Sequence, residues 1–197
     1  MKKFYLLIIL IITIKSNSQS VQKHTYLDNY NNKLTSEKFN ELRTKNVTIQ
    51  KTHKKDISIQ KILYKQKVVE LDSIQLNQIQ QLLEKMTNNS FSETKNTMIH
   101  IFESNNEIYS ESIENKRYWR WIKTNRKRIQ AFLIGSRDSN IVTNSKKNTY
   151  VDGLDILKKI FFTDSRFKIN HIYLEPNGTV KVFYGYDDIL KILDYSV

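Results

Sequence analysis

The chain has 197 residues, 39% of them apolar or aromatic and 26% charged, which suits a globular protein with a real core and not a disordered one. It contains no cysteine, so disulfides, thiolate nucleophiles and cysteine-ligated metals are excluded. Its net charge of +12 draws it to anionic partners (nucleic acid, acidic lipid, acidic polysaccharide) without choosing among them.

The first segment reads as an export signal. Lys2 and Lys3 form a basic start, Phe4 to Ile14 is apolar apart from Thr13, and Ser16 and Ser18 supply the small residues that signal peptidase reads before Gln19. A bilayer span needs about 20 apolar residues, and this run is shorter. The expectation is a secreted or periplasmic protein cleaved near Ser18. Removing Lys2, Lys3 and Lys15 with the leader takes the charge from +12 to +9.

Residues 19–94 read as a small α+β extension. Lys23 to Leu27 is a short strand, followed by turn residues at 28–32. Thr35 is placed to cap a short helix reaching Arg43, with Leu34 and Phe39 at the two positions of a hydrophobic staple. Val47 to Ile49 alternates, and Ile57 to Glu70 reads as one long strand or a hairpin. Asp72 and Gln75 form a capping-box pair before a helix whose apolar face is Ile79, Leu82, Leu83 and Met86.

Residues 95–197 read as a second domain. Thr97 to Phe102 and Ala131 to Gly135 are short apolar runs of the buried-strand type. A single long helix is expected between them, from about Tyr109 to Ile129, with Tyr118, Ile122, Asn125 and Ile129 on one side. Residues 136–148 read as loop and Leu154 to Phe162 as a helix. Ile169 to Leu174 and Thr179 to Tyr184 are strands joined at Pro176-Asn177-Gly178, where Asn-Gly supplies the positive φ of a tight hairpin. Asp187 to Leu193 closes the chain as a helix. The two strands flanking the long helix should be parallel and the last two antiparallel.

From residue 97 the order is β-α-β-α-β-β-α. It resembles the thioredoxin fold, and most of all the secreted bacterial thioredoxin-like proteins of the TlpA-type redoxin family. Met98 to Phe102 resembles their first core strand, Ala131 to Ser136 the second, Ile172 to Val180 their hairpin, and Tyr184-Gly185 with Ile189, Leu190 and Leu193 their closing helix. The resemblance implies an α/β fold with a mixed sheet flanked by helices. It also exposes two departures. The family's Cys-x-x-Cys loop corresponds to Glu103 to Ser110, and its cis-proline corresponds to a position near Asn170. Disulfide exchange needs a thiolate, so the resemblance implies a redox-inactive copy without a cofactor, acting as a binding or envelope accessory module toward an unknown protein or anionic polymer.

The strongest surface signal is the basic segment Arg117, Trp119, Arg120, Lys123, Arg126, Lys127 and Arg128. Cations interleaved with aromatics suit polyanion binding; the alternative is a core helix whose long cations snorkel over its apolar edge. Trp119 lies off the apolar face, so its exposure discriminates between the two. His100 and His171 are expected to approach each other on neighbouring strands, without the third ligand that a metal requires. Glu103, Glu107, Glu111 and Glu114 have helical spacing and are expected to form a solvated salt-bridge face. No Gly-rich phosphate loop, nucleophile elbow or zinc motif is present, and no catalytic residue is expected.

Overall fold

The computed structural model describes residues 23–195 apart from 30, 44–46, 55–56, 89, 164 and 166; residues 1–18, expected to be an export leader, lie outside the described residues. The chain is mixed α/β, with two mixed sheets, and divides into compact units at Tyr64/Lys65.

The first unit holds a four-stranded sheet in the order β2-β1-β4-β3. Its strands are β1 (Lys23–Leu27), β2 (Lys33–Leu34), β3 (Val47–Lys54) and β4 (Ile57–Tyr64), with helix α1 (Ser36–Leu42) inserted after β2. Thr35 caps α1 by accepting a hydrogen bond from the Lys38 N–H at 3.2 Å. Phe39 turns inward against Tyr26, ring centroids 4.6 Å apart, and is buried with Ile62.

Ile57 to Glu70 is neither one strand nor a hairpin. Both edges of β4 are taken, by β1 and by β3. The next strand, β5 (Gln66–Glu70), instead takes the free edge of the sheet in the second unit, antiparallel to β10 (Thr179–Tyr184). This pairing, and the helix α2 (Ser73–Thr87) that follows it, place residues 65–94 with the rest of the second unit. The Asp72 carboxylate accepts from the N–H groups of Ile74 and Gln75 while Gln75 Oε1 accepts from the Asp72 N–H, so the expected capping box forms.

The second sheet has six strands in the order β5-β10-β9-β6-β7-β8. Its centre is β6 (Asn96–Phe102), parallel to β7 (Ile129–Ser136) and antiparallel to β9 (Ile169–Leu174). The hairpin β9–β10 is antiparallel. Strand β8 (Thr149–Asp152) was not expected; it extends the sheet parallel to β7. Side-chain alternation divides the core into two layers. Ile99, Ile101, Phe132, Ile134, Ile172 and Val182 pack on Ile79 and Leu83 of α2 and on Leu157 and Phe161 of α5 (Ile156–Phe161). Met98, Phe102, Leu133, Ile169, Tyr173 and Phe183 form the other layer with Tyr109, Tyr118, Ile122, Ile189 and Ile192. A central strand covered on both faces reads as a continuous apolar run, which explains the pattern of residues 97–102.

Four local expectations are corrected. The long helix is broken into α3 (Glu107–Glu114) and α4 (Lys116–Thr124). Asn115 leaves the helical region at φ −67°, ψ 85°, and its side chain accepts from the Tyr118 N–H at 3.0 Å. An asparagine that bonds nearby backbone competes with helix continuation. Ile129 accordingly opens β7. At the hairpin, only Gly178 has positive φ, at +95°. The Gly178 N–H bonds the Glu175 carbonyl at 3.0 Å, so Pro176 and Asn177 form the turn and Gly178 the bulge of a three-residue loop. The closing helix is 3-10, over Ile189–Tyr195, and Leu154 stays outside α5 and exposed.

Candidate functional site

The register of β6 and β9 sets His100 directly opposite His171, so both rings leave the sheet on the same face. Both are fully buried, and their Nδ1 atoms lie 2.7 Å apart. His100 Nε2 is 2.6 Å from the Tyr118 hydroxyl on α4, and His171 Nε2 is 2.8 Å from the carbonyl oxygen of Tyr186. The protons are assigned by elimination. A carbonyl only accepts, so His171 carries its hydrogen on Nε2 and offers its Nδ1 lone pair. His100 then donates from Nδ1 and accepts at Nε2 from the Tyr118 hydroxyl. Every ring nitrogen is satisfied with both imidazoles neutral.

Burial of this chain displaces three protonation equilibria. Burial, and then the neighbouring His171, hold His100 well below the ordinary histidine range. Burial also lowers His171, to about 4, partly opposed by its bond to the Tyr186 carbonyl. The same burial pushes the Tyr118 hydroxyl well above its ordinary value of 10.0. Among the described residues no cluster of three or more His, Cys, Asp or Glu side chains is arranged to hold a metal ion. The ring nitrogens of this pair have no lone pair left to offer one. The two histidines thus approach each other and form a polar link from β9 through β6 to α4.

A second polar group lies at the carboxyl end of β6. Glu103 pairs with Lys158 of α5, and the Ser165 hydroxyl donates to Asn170 Oδ1 at 2.8 Å. Glu103 Oε1 and Asn170 Nδ2 are buried without a hydrogen-bond partner. Glu103 thus leaves the row of carboxylates expected from helical spacing. Glu107, Glu111 and Glu114 are exposed on α3 and take part in none of the ion pairs among the described residues.

The basic segment is divided by the fold. Tyr118 and Ile122 are buried on the core side of α4. Arg117, Arg120 and Lys123 stand exposed on its outer side, and Arg126, Lys127 and Arg128 are exposed in the turn into β7. None of them joins an ion pair among the described residues. The hollow along Lys123 to Arg128 has a volume of about 640 Å³. Trp119 is only partly exposed. Its indole N–H donates to the Ser112 carbonyl at 3.0 Å across the α3–α4 break, and its ring packs edge-on against Tyr118. The cations therefore form a charged surface without a freely projecting aromatic.

A groove that the sequence did not announce lies beside it. Ile113, Glu114, Lys116 and Trp119 face Lys146, Lys147 and Asn148 across a volume of about 570 Å³. Residues 146–148 belong to a stretch read as loop; Ser145–Lys147 form a 3-10 turn, and the Asn148 carbonyl that follows it accepts from the Leu133 N–H at 2.9 Å. The only sequence signal was the Lys146-Lys147 pair.

No protein-family model, no curated protein and no solved structure matches the chain.

Proposed function

We propose that this chain is an exported, redox-inactive thioredoxin-like protein that serves as a binding or envelope accessory module. The observation that carries the reading is the strand order β7-β6-β9-β10, with β6 and β7 parallel and joined through α3 and α4, and β9 and β10 antiparallel. That order agrees with the one the thioredoxin-like resemblance implies. Where such a protein would place its thiols, Glu103 to Ser110 offers Asn106, whose side chain caps α3 by accepting from the Tyr109 N–H at 3.2 Å. The resemblance sets the family's cis-proline position near Asn170. The leader supports delivery outside the cytoplasm. No helix among the described residues is long and apolar enough to cross a membrane.

The test combines processing with contact. Expressed from its first methionine in a bacterium with a Sec system, the chain is expected outside the cytoplasm with Gln19 as its new first residue, read by N-terminal sequencing. Photocrosslinking groups placed at Arg117 and Arg120 are expected to give one discrete envelope adduct. Retention of residues 1–18 in a cytoplasmic product, or crosslinking only between copies of the chain, would overturn the reading.

The exposed, unpaired cations favour a second reading, a basic secreted protein that binds a polyanion through the surface around Arg117 to Arg128. With no aromatic projecting from that surface, charge supplies the binding. Retention on heparin should then fall steeply with salt, as counterion release dictates. Replacing Arg126, Lys127 and Arg128 by alanine should lower the slope of log K against log salt by about 2–3. Elution below physiological salt, or an unchanged slope, counts against it.

A further inference from the structure

We propose that the groove between the α3–α4 break and the 146–148 turn binds an acidic sugar unit of an anionic polysaccharide. The proposal deepens the polyanion reading and rests on it. Lys116, Lys146 and Lys147 are exposed at the groove and take part in no ion pair among the described residues. Three ammonium groups around one concavity fit a carboxylate or sulfate. Trp119 gives the groove an aromatic wall, held in place by its bond to Ser112 and its contact with Tyr118. A fixed aromatic surface suits the apolar C–H face of a sugar ring, and little side-chain freedom is lost on binding. Glu114 and Asn148 add a carboxylate and an amide, which accept from and donate to sugar hydroxyls.

The same residues argue against the other polyanions. A phosphodiester strand offers few hydroxyls for the Glu114 carboxylate and the Asn148 amide to bond. A membrane-surface helix needs an exposed apolar face, and the apolar residues of α4 point into the core or pack against it. The opposing wall is pre-formed: Lys147 N–H bonds the Asn144 carbonyl at 3.0 Å, and the Thr149 hydroxyl bonds the Lys147 carbonyl at 3.3 Å. An acidic sugar is the ligand that uses the cations, the indole and the carboxylate together.

The test uses the full protein and a galacturonate oligosaccharide of defined length, followed by calorimetry and by the fluorescence of the two tryptophans. Binding is expected to perturb the tryptophan emission. It should weaken about tenfold in K146A/K147A, the effect of losing two rim cations. The variant R126A/K127A/R128A, which leaves the groove intact, should bind the oligosaccharide within about twofold of the parent. The methyl-esterified oligosaccharide should bind more weakly than the acid. Equal affinity for the ester, an unchanged K146A/K147A, or tighter binding of an oligothymidylate of matched charge overturns the proposal. Heparin retention that survives one of these results leaves the general polyanion reading standing and removes only the groove. Loss of both removes both.

Discussion

Acidification from neutrality to about pH 4 is expected to remove about 3 kcal/mol of stability through His171 alone, with His100 adding to the loss. In the unfolded chain each histidine takes up its proton near its ordinary value of 6.5, whereas buried His171 does not until about 4. Across that window the unfolded state binds more protons than the native one, so stability rises with pH and is lost as pH falls. Above the window this contribution is constant. Neither ring has a carboxylate to receive the added charge: their partners are each other, the Tyr118 hydroxyl and the Tyr186 carbonyl. Protonating either histidine places a donor where the chain needs an acceptor. Urea unfolding at closely spaced pH values should show the midpoint sliding from about pH 6.5 downward, before the ordinary carboxylates titrate near 4. A midpoint constant between pH 7 and 5 would contradict the buried, neutral chain. An alkaline edge follows from the same geometry. The buried Tyr118 hydroxyl resists ionisation while the unfolded one loses its proton near 10.0, so stability also declines above that pH.

The elements that could be read in advance are those whose signal is local. Capping at Thr35 and Asp72, the buried-strand runs at 97–102 and 131–135, and the Pro176-Asn177-Gly178 turn each depend on residues a few positions apart. The misreadings arose where partners distant in sequence decide. Gln66 to Glu70 has the composition of a strand, but its place opposite β10 depends on β4 having no free edge. Thr149 to Asp152 is too short to announce itself and becomes a strand because β7 offers an edge beside it. The α3–α4 break was hidden because the helical periodicity of residues 109–122 continues through Asn115, where one side-chain bond to backbone outweighs the pattern.

The site was legible to a similar depth. Topology placed His100 beside His171, because antiparallel neighbours in register bring facing residues together. Tyr118 as the third member was not legible, since it also satisfied the apolar periodicity of its helix. Both views hold: its ring fills the core and its hydroxyl ends the polar chain. The basic segment was visible as charge, but the outcome at Trp119 depended on Ser112, seven positions earlier across the helix break. The groove depended on the 146–148 turn folding back toward α4, which no periodicity encodes.

Replacing His171 by alanine should be among the most damaging single changes, at about 3–5 kcal/mol. It leaves the buried His100 Nδ1–H without its acceptor and opens a cavity between β6 and β9 in the layer formed by Met98, Ile169 and Tyr173. An unsatisfied buried donor keeps its full desolvation cost, whereas removing both partners of a bond can be close to neutral. The double change His100→Leu with His171→Leu should therefore be less destabilising than His171→Ala alone. It leaves the Tyr118 hydroxyl its contact to the Met98 sulfur, 3.5 Å. Because it deletes both displaced histidines, the double variant should also hold a nearly constant urea midpoint from pH 7 to 5. The two measurements separate packing from protonation. If the double variant were as unstable as His171→Ala yet still lost its acid sensitivity, volume and not polar satisfaction would dominate at this position. If it kept the acid slope, the histidines would not be its source.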